Sequence, residues 1–157
     1  MSRVAQEGSV NAAWDFKYST RVCTMRRMKP RVLWSFVADQ FIVDQGGKFS
    51  VIGVWETVSA PMFPAVHPQL FVVTGWQGDP HANFLTETRL WTPSGALLTS
   101  TGPHPFQVSP VGKGINVNQF VNVNLPQSGA YRLEVLAYGE IAYDSTITVN
   151  QLGTPIA

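Results

Sequence analysis

The chain has 157 residues, 45% hydrophobic and 13% charged, with a formal net charge of +1. That length fits one domain plus an extension, with a core that needs neither disulfide nor metal, and the single cysteine, Cys23, excludes an intramolecular disulfide. No run of about 18 apolar residues is available to span a membrane as a helix, and a charge content so far below the roughly 25% of an average soluble domain implies a surface partly covered by a partner.

The charge is unevenly divided. Residues 1–31 carry seven Lys and Arg against two acids, a net of +5, whereas residues 32–157 carry four against eight, a net of −4. Residues 1–30 show no sustained periodicity, and a short helical stretch over 22–28 would be stopped by Pro30. They read as a non-globular basic arm on a mildly acidic body. Residues 1–7 are followed by no apolar h-region, so no secretory leader is expected.

Residues 31–152 read as one domain of strands, and residues 153–157 as a tail. Residues 32–37 form a β-branched and aromatic strand, and 41–43 a short second one. Gln45-Gly46-Gly47-Lys48 is a hairpin turn, and 49–58 a third strand interrupted by a bulge at Gly53. Pro61, Pro64 and Pro68 make a rigid connection that cannot pair centrally. Strands follow at 70–76 and 84–91 around a turn at 77–81, and Pro93-Ser94-Gly95 leads into 96–100. Residues 102–114 read as a loop. Residues 115–125 alternate, with Ile115, Val117, Val121, Val123 and Leu125 on one face and Asn116, Asn118, Asn122 and Asn124 on the other, directed outward or onto a partner. A last hairpin joins 131–136 to 141–149 through Gly139-Glu140. The fold class is all-β: an antiparallel β-sandwich, jelly-roll or C2-like, of eight to nine strands.

Phe36-Val37-Ala38-Asp39, Val43-Asp44, Gly46-Gly47-Lys48 and Ile52-Gly53-Val54-Trp55 carry a resemblance. They resemble the opening of a family of small uncharacterised bacterial and phage proteins. In that family a strand ends in Asp, a hairpin reads Asp-x-x-Gly-Lys and the return strand reads Ile-x-Gly. Leu125-Pro126-Gln127-Ser128-Gly129-Ala130-Tyr131 resembles its later turn-and-strand step. The resemblance covers most of residues 30–150 and implies a β-sandwich. It supplies no activity and no catalytic residue, and the basic arm is an addition to it.

No chemistry-bearing cluster is legible. His67, His81 and His104 each adjoin a proline and lack a second ligand at i+2 or i+4, so they read as exposed loop residues rather than as a zinc site. Asp39 and Asp44 flank a short strand. Their spacing admits calcium, but capping the tight turn through backbone N–H groups is favoured. Cys23 sits among Arg21, Arg26 and Arg27, on a poor scaffold for a nucleophile. No catalytic residue, cofactor or metal is expected.

The expected function is therefore that of a non-enzymatic structural subunit docking on a large assembly through its arm, most specifically a bacteriophage virion component such as a capsid decoration protein. It would be made in the host cytoplasm and located in the virion, with a cytoplasmic location as the alternative. The expected partner-binding residues are Trp14, Phe16, Tyr18, Arg21, Arg26 and Arg27 on the arm and Asn116, Asn118, Asn122 and Asn124 on the body. Other protein subunits, a major capsid protein or further copies of the chain, are the expected partners, with no membrane. A carbohydrate- or ligand-binding sandwich module is the first alternative. A nucleic-acid-associated virion subunit, its arm binding by charge and stacking, is the second and is disfavoured because +5 is a small charge for that role.

Overall fold

Short β-branched and aromatic runs between glycine and proline turns pair into ten strands in the structure, a computed structural model that describes residues 27–153. They are β1 Arg31–Val43, β2 Phe49–Val54, β3 Thr57–Ala60, β4 Ala65–Gln77, β5 Asn83–Trp91, β6 Leu97–Ser100, β7 His104–Gln107, β8 Lys113–Leu125, β9 Gly129–Ala137 and β10 Glu140–Gln151. One sheet has the order β2-β1-β4-β8 and the other β3-β10-β9-β5-β6, with β7 also pairing β5. The result is an all-β sandwich, antiparallel throughout except where β3 lies parallel to β10.

Local turn chemistry closes the hairpins. Asp44 Oδ1 accepts the N–H groups of Gly46 and Lys48, each at 2.8 Å, and Gly47 takes a φ of 79° that suits glycine. Tyr131 Oη donates to Gln127 O at 2.6 Å, pinning the turn that precedes β9. The start of β1 is tied down as well: Met28 N–H donates to Asp79 Oδ2 at 2.8 Å, and Lys29 pairs with Glu140.

Several sequence expectations need correction. The strands expected at 32–37 and 41–43 are one strand, β1, because Ala38 and Gln40 keep pairing with Val54 and Ile52. The strand expected at 49–58 is two strands in different sheets, parted where Trp55 turns inward and its N–H bonds Val37 O. Pro68 lies inside β4, where it is tolerated because β1 pairs with β4 no further than Phe71. The expected loop at 102–114 contains β7, whose Pro105 sits on a strand paired with β5 alone.

The largest correction concerns the amide row. Asn116 and Asn118 are buried and face the core with Phe120, while Ile115 and Val121 are exposed. The next inward residue is Val123, a step of three instead of two. Asn122, at a φ of 52°, adds the residue that reverses the phase of the strand. Only Asn122 and Asn124 are exposed, so no outward row of four amides forms.

The buried amides belong to a polar belt across the middle of the core. On one side lies a cluster including Leu70, Val72, Leu90, Phe120 and Leu133, and on the other a cluster of Trp76, Phe84, Val108, Val135 and Ala137. Between them Ser35 and Thr74 share a hydroxyl hydrogen bond of 2.9 Å, and Asn118 Nδ2 donates to Thr88 Oγ1 at 3.0 Å. Asn116 Nδ2 lies 3.2 Å from His104 Nε2. Satisfied polar groups of this kind fix which residues face each other across two sheets.

Candidate functional site

Two features stand out: a cleft at the bend of the first hairpin, and an apolar patch on the outer face of the four-stranded sheet.

The bend follows from ring contacts. Trp34, near the start of β1, stacks on Phe49, whose ring centroid is 5.9 Å away. Phe49 pairs with Val43, nine residues along β1 from Trp34, which on a straight strand would be about 30 Å away. The hairpin therefore curls back, at Asp39 on β1 and at Gly53 on β2, where φ is 69°. A Cβ at position 53 would come within 2.3 Å of Asp39 Oδ2, so only glycine leaves room for the carboxylate.

Asp39 is held at this bend. Trp55 Nε1–H donates to Asp39 Oδ1 at 2.8 Å, and His67 Nε2 lies 3.1 Å from the same oxygen. The Trp55 and His67 rings meet edge to face at 4.5 Å. Both groups approach the same oxygen, and Oδ2 has no hydrogen-bonding side chain or backbone partner among the described residues. The three side chains open into a cleft of about 410 Å³ whose other walls include Val58, Ala60, Ala65, Val66, Leu125 and Val149. Ser59 also lines it. The cleft lies where the two sheets gape, between edge strand β3 and the part of β4 that β1 leaves uncovered.

The outer face of the β2-β1-β4-β8 sheet is read from its register. Trp34, Phe36 and Ala38 on β1 align with Val54 on β2, with Phe71, Val73 and Gly75 on β4, and with Ile115, Val117 and Gln119 on β8. None of these positions carries charge, but the next row of the same face is Arg31, Gln77 and Lys113, with both cations exposed. Phe36, Val54, Ile115 and Val121 are exposed. The opposite sheet differs: Glu87 and Arg89 pair through two hydrogen bonds of 2.8 and 3.0 Å, and Glu134 accepts from Trp91 Nε1 and pairs with Arg132.

Of the expected site residues, Trp14, Phe16, Tyr18, Arg21 and Arg26, and Cys23 with them, lie outside the described residues. Arg27 is exposed beside Pro30, Asp79 and Tyr138. Asn116 and Asn118 are interior and unavailable to a partner. His81 is an exposed turn residue, whereas His67 and His104 are half-buried in β4 and β7, contrary to the loop expectation. Asp44 caps the turn as expected, but Asp39 instead receives Trp55 and faces His67. No group of three His, Cys, Asp or Glu converges among the described residues. The indole of Trp76 is fully buried, that of Trp55 nearly so, and the Arg132 guanidinium lies over one face of Trp91.

A family model, that of a family of unknown function (DUF6941), matches residues 33–150. No curated protein matches the chain. Similar solved structures include a Pseudomonas fluorescens alkylpurine DNA glycosylase bound to DNA, at 9% identity and a TM-score of 0.45, over 74% of this chain and 30% of that one. A Listeria innocua β-glucosidase in complex with glucose is similar at 6% identity and a TM-score of 0.47, over 78% and 16%. The CARDB domain of a Pyrococcus furiosus protein in complex with two metal ions is similar at 11% identity and a TM-score of 0.44, over 82% and 99%. The chain thus spans less than a third of the length of the two enzymes, and none of these likenesses carries a functional argument.

Proposed function

The chain belongs to the family of unknown function DUF6941, and we propose that it is a non-enzymatic subunit of a larger protein assembly, docked on a neighbouring subunit through the outer face of the β2-β1-β4-β8 sheet. The observation that supports this is the register-aligned apolar patch with Phe36, Val54, Ile115 and Val121 exposed on it. Apolar surface of this kind is the chemistry of a protein contact, with the exposed cations Arg31 and Lys113 confined to the row beside Gln77 at its end.

Magnitude selects an assembly over an isolated pair. Four strands spaced about 4.8 Å and seven residues of about 3.3 Å bound the face at roughly 450 Å², and less of it is open because Ala38 and Val73 on it are fully buried and Phe49 stacks on Trp34. A stable two-body interface needs about 800 Å² from each partner. A contact of the smaller size holds when several act together, as they do for a subunit seated among neighbours. The basic and aromatic residues within 1–31 supply the second contact in this reading, leaving the body beside the turn that carries Asp79. The narrower reading, a bacteriophage virion component such as a capsid decoration protein, rests on the sequence resemblance.

The test is the mass of the full chain, taken from its native source by size exclusion with light scattering, alongside variants with Ile115→Lys and Val121→Glu. The native chain is expected to travel with a particle much heavier than 17.3 kDa, and the variants to be released from it with an unchanged melting temperature. A native chain that runs as a free monomer, or variants that remain on the particle, would overturn the reading. A particle built of this chain alone would identify the neighbour as a second copy.

A further inference from the structure

We infer that the cleft at the hairpin bend binds a protonated amine or guanidinium carried on a short apolar stem. The inference stands apart from the assembly reading, because it concerns different residues on a different part of the fold.

Three observations carry it. The first is a preorganised acceptor. Asp39 Oδ1 is fixed by Trp55 Nε1–H at 2.8 Å, with His67 Nε2 3.1 Å from it, while Oδ2 rests against Gly53 with no hydrogen-bond partner among the described residues. The Asp39 side chain is 48% exposed, so a ligand can reach it. A carboxylate already oriented loses little freedom when a donor arrives.

The second is charge. Among the described residues, Asp39 and His67 are the only titratable side chains lining the cleft, and no Lys or Arg stands among its walls. A carboxylate in a partly apolar recess without a Lys or Arg favours a cation over a neutral or anionic group. The third is shape. The volume of about 410 Å³ lies toward the small end of ligand pockets, and Val58, Ala60, Leu125 and Val149 offer apolar walls to an alkyl stem. Trp55 is 8% exposed and meets His67 edge to face, so it presents no open ring face on which a sugar would stack.

A protonated amine with this stem occurs both as a free small molecule and as a Lys side chain of a protein. Among the described residues, edge strand β3 beside the cleft has only β10 as a neighbour, so it could also pair with the backbone of an incoming segment. The two sources are separated by experiment.

The full chain is titrated with n-butylammonium chloride while the indole N–H resonance of Trp55 is followed by ¹H–¹⁵N NMR, with n-butanol and sodium chloride as controls. The resonance is expected to move and saturate with a Kd on the order of 1–10 mM, as suits so small a probe. Butanol and salt are expected to leave it in place, and Asp39→Asn to weaken binding at least tenfold. Because Asp39→Asn alters a fixed cluster, a second variant is measured: Val66→Lys, at a wall residue that is 64% exposed, places a tethered ammonium at the cleft and should block the probe with the fold intact. An end-blocked Ala-Lys-Ala peptide binding at least tenfold tighter than butylammonium identifies a protein side chain as the source, and equal binding identifies a free amine. An equal response to butanol, no movement with butylammonium, or undiminished binding by a folded Asp39→Asn or Val66→Lys variant would overturn the inference. None of these results bears on the outer sheet face.

Discussion

The indole of Trp34 occupies the space that a side chain at position 75 would need. A Cβ built on Gly75 lies 2.4 Å from Trp34 Cε2 and 2.7 Å from Cζ2, because Trp34 pairs across from Gly75 and lays its ring over the glycine on the outer face of the sheet. The same ring stacks on Phe36 at 5.4 Å and on Phe49 at 5.9 Å, so one glycine in a central strand seats the aromatic group that holds the curled hairpin.

Gly75→Ala is therefore expected to push the indole off its seat. The cost is that of overpacking, about 1–3 kcal/mol, read as a lowered urea midpoint with an altered tryptophan fluorescence maximum. In a Trp34→Ala background the same substitution should cost much less, since the clash is gone. Equal costs in the two backgrounds would refute the coupling between the two positions.

Asn118 and Asn122 should respond in different ways although both lie on β8. Asn118→Leu leaves the Thr88 hydroxyl buried without its 3.0 Å partner, at a cost of about 1–3 kcal/mol. Adding Thr88→Val removes the orphaned group and should recover much of that loss. Asn122 is exposed, so Asn122→Lys leaves no buried group unpaired and should cost only the strain of a left-handed φ, about 1 kcal/mol, which Thr88→Val cannot recover. Thermal unfolding of the parent and the three variants decides it, and a destabilising Asn122→Lys beside a harmless Asn118→Leu would reverse the assignment of faces.

That contrast shows how far the sequence could be read. Hairpins at Gly46-Gly47, Gly95 and Gly139 were legible because each positive φ depends on a few adjacent residues. The sandwich was legible because alternation and turn spacing suffice for it. The inward turn of Asn116 and Asn118 was not, because strict alternation does not say which set faces the core, and a phase reversal at Asn122 depends on how β8 meets β4. The cleft was invisible for another reason. Asp39, Trp55 and His67 come from three separate segments, and only the curl of the hairpin brings them together. In the sequence Asp39 and Asp44 looked alike, yet one orients an indole and the other caps a turn.

Tyr131 offers a prediction at alkaline pH. Its hydroxyl donates to Gln127 O at 2.6 Å, and burial pushes its phenol above the ordinary value of 10.0 against the opposing bond from the Gln127 backbone. A group held neutral in the fold gives stability that is complete below the unfolded value and declines as pH rises above it, because the unfolded chain ionises first. Tyr131→Phe should cost about 1–2 kcal/mol near neutrality through the lost hydrogen bond. It should also make unfolding less sensitive to pH above 10.0. Denaturant midpoints measured across that range test this, and a constant gap between parent and variant would reject the burial argument.

Glu87 carries the corresponding prediction in acid. Its two carboxylate oxygens accept from Arg89 Nε at 2.8 Å and Nη2 at 3.0 Å, and Ser100 Oγ donates to Oε1 at 2.8 Å. The Arg89 hydrogen bonds outweigh the opposing effect of burial and hold the carboxyl below its ordinary value of 4.5. The folded value is thus depressed, so the contribution of Glu87 to stability is complete above pH 4.5. Below that pH the unfolded chain takes up its proton first, and the contribution is lost progressively until the folded carboxyl also protonates. Glu87→Gln should cost about 1–2 kcal/mol at neutral pH, a figure kept modest because Arg89 is a third exposed and partly screened. Parent and variant should then converge as the pH is lowered through and below 4.5. The difference between their urea midpoints isolates this carboxylate from the other acids, which both proteins share. A gap that stays constant with falling pH would show that the Arg89 pair acts through packing and not through charge.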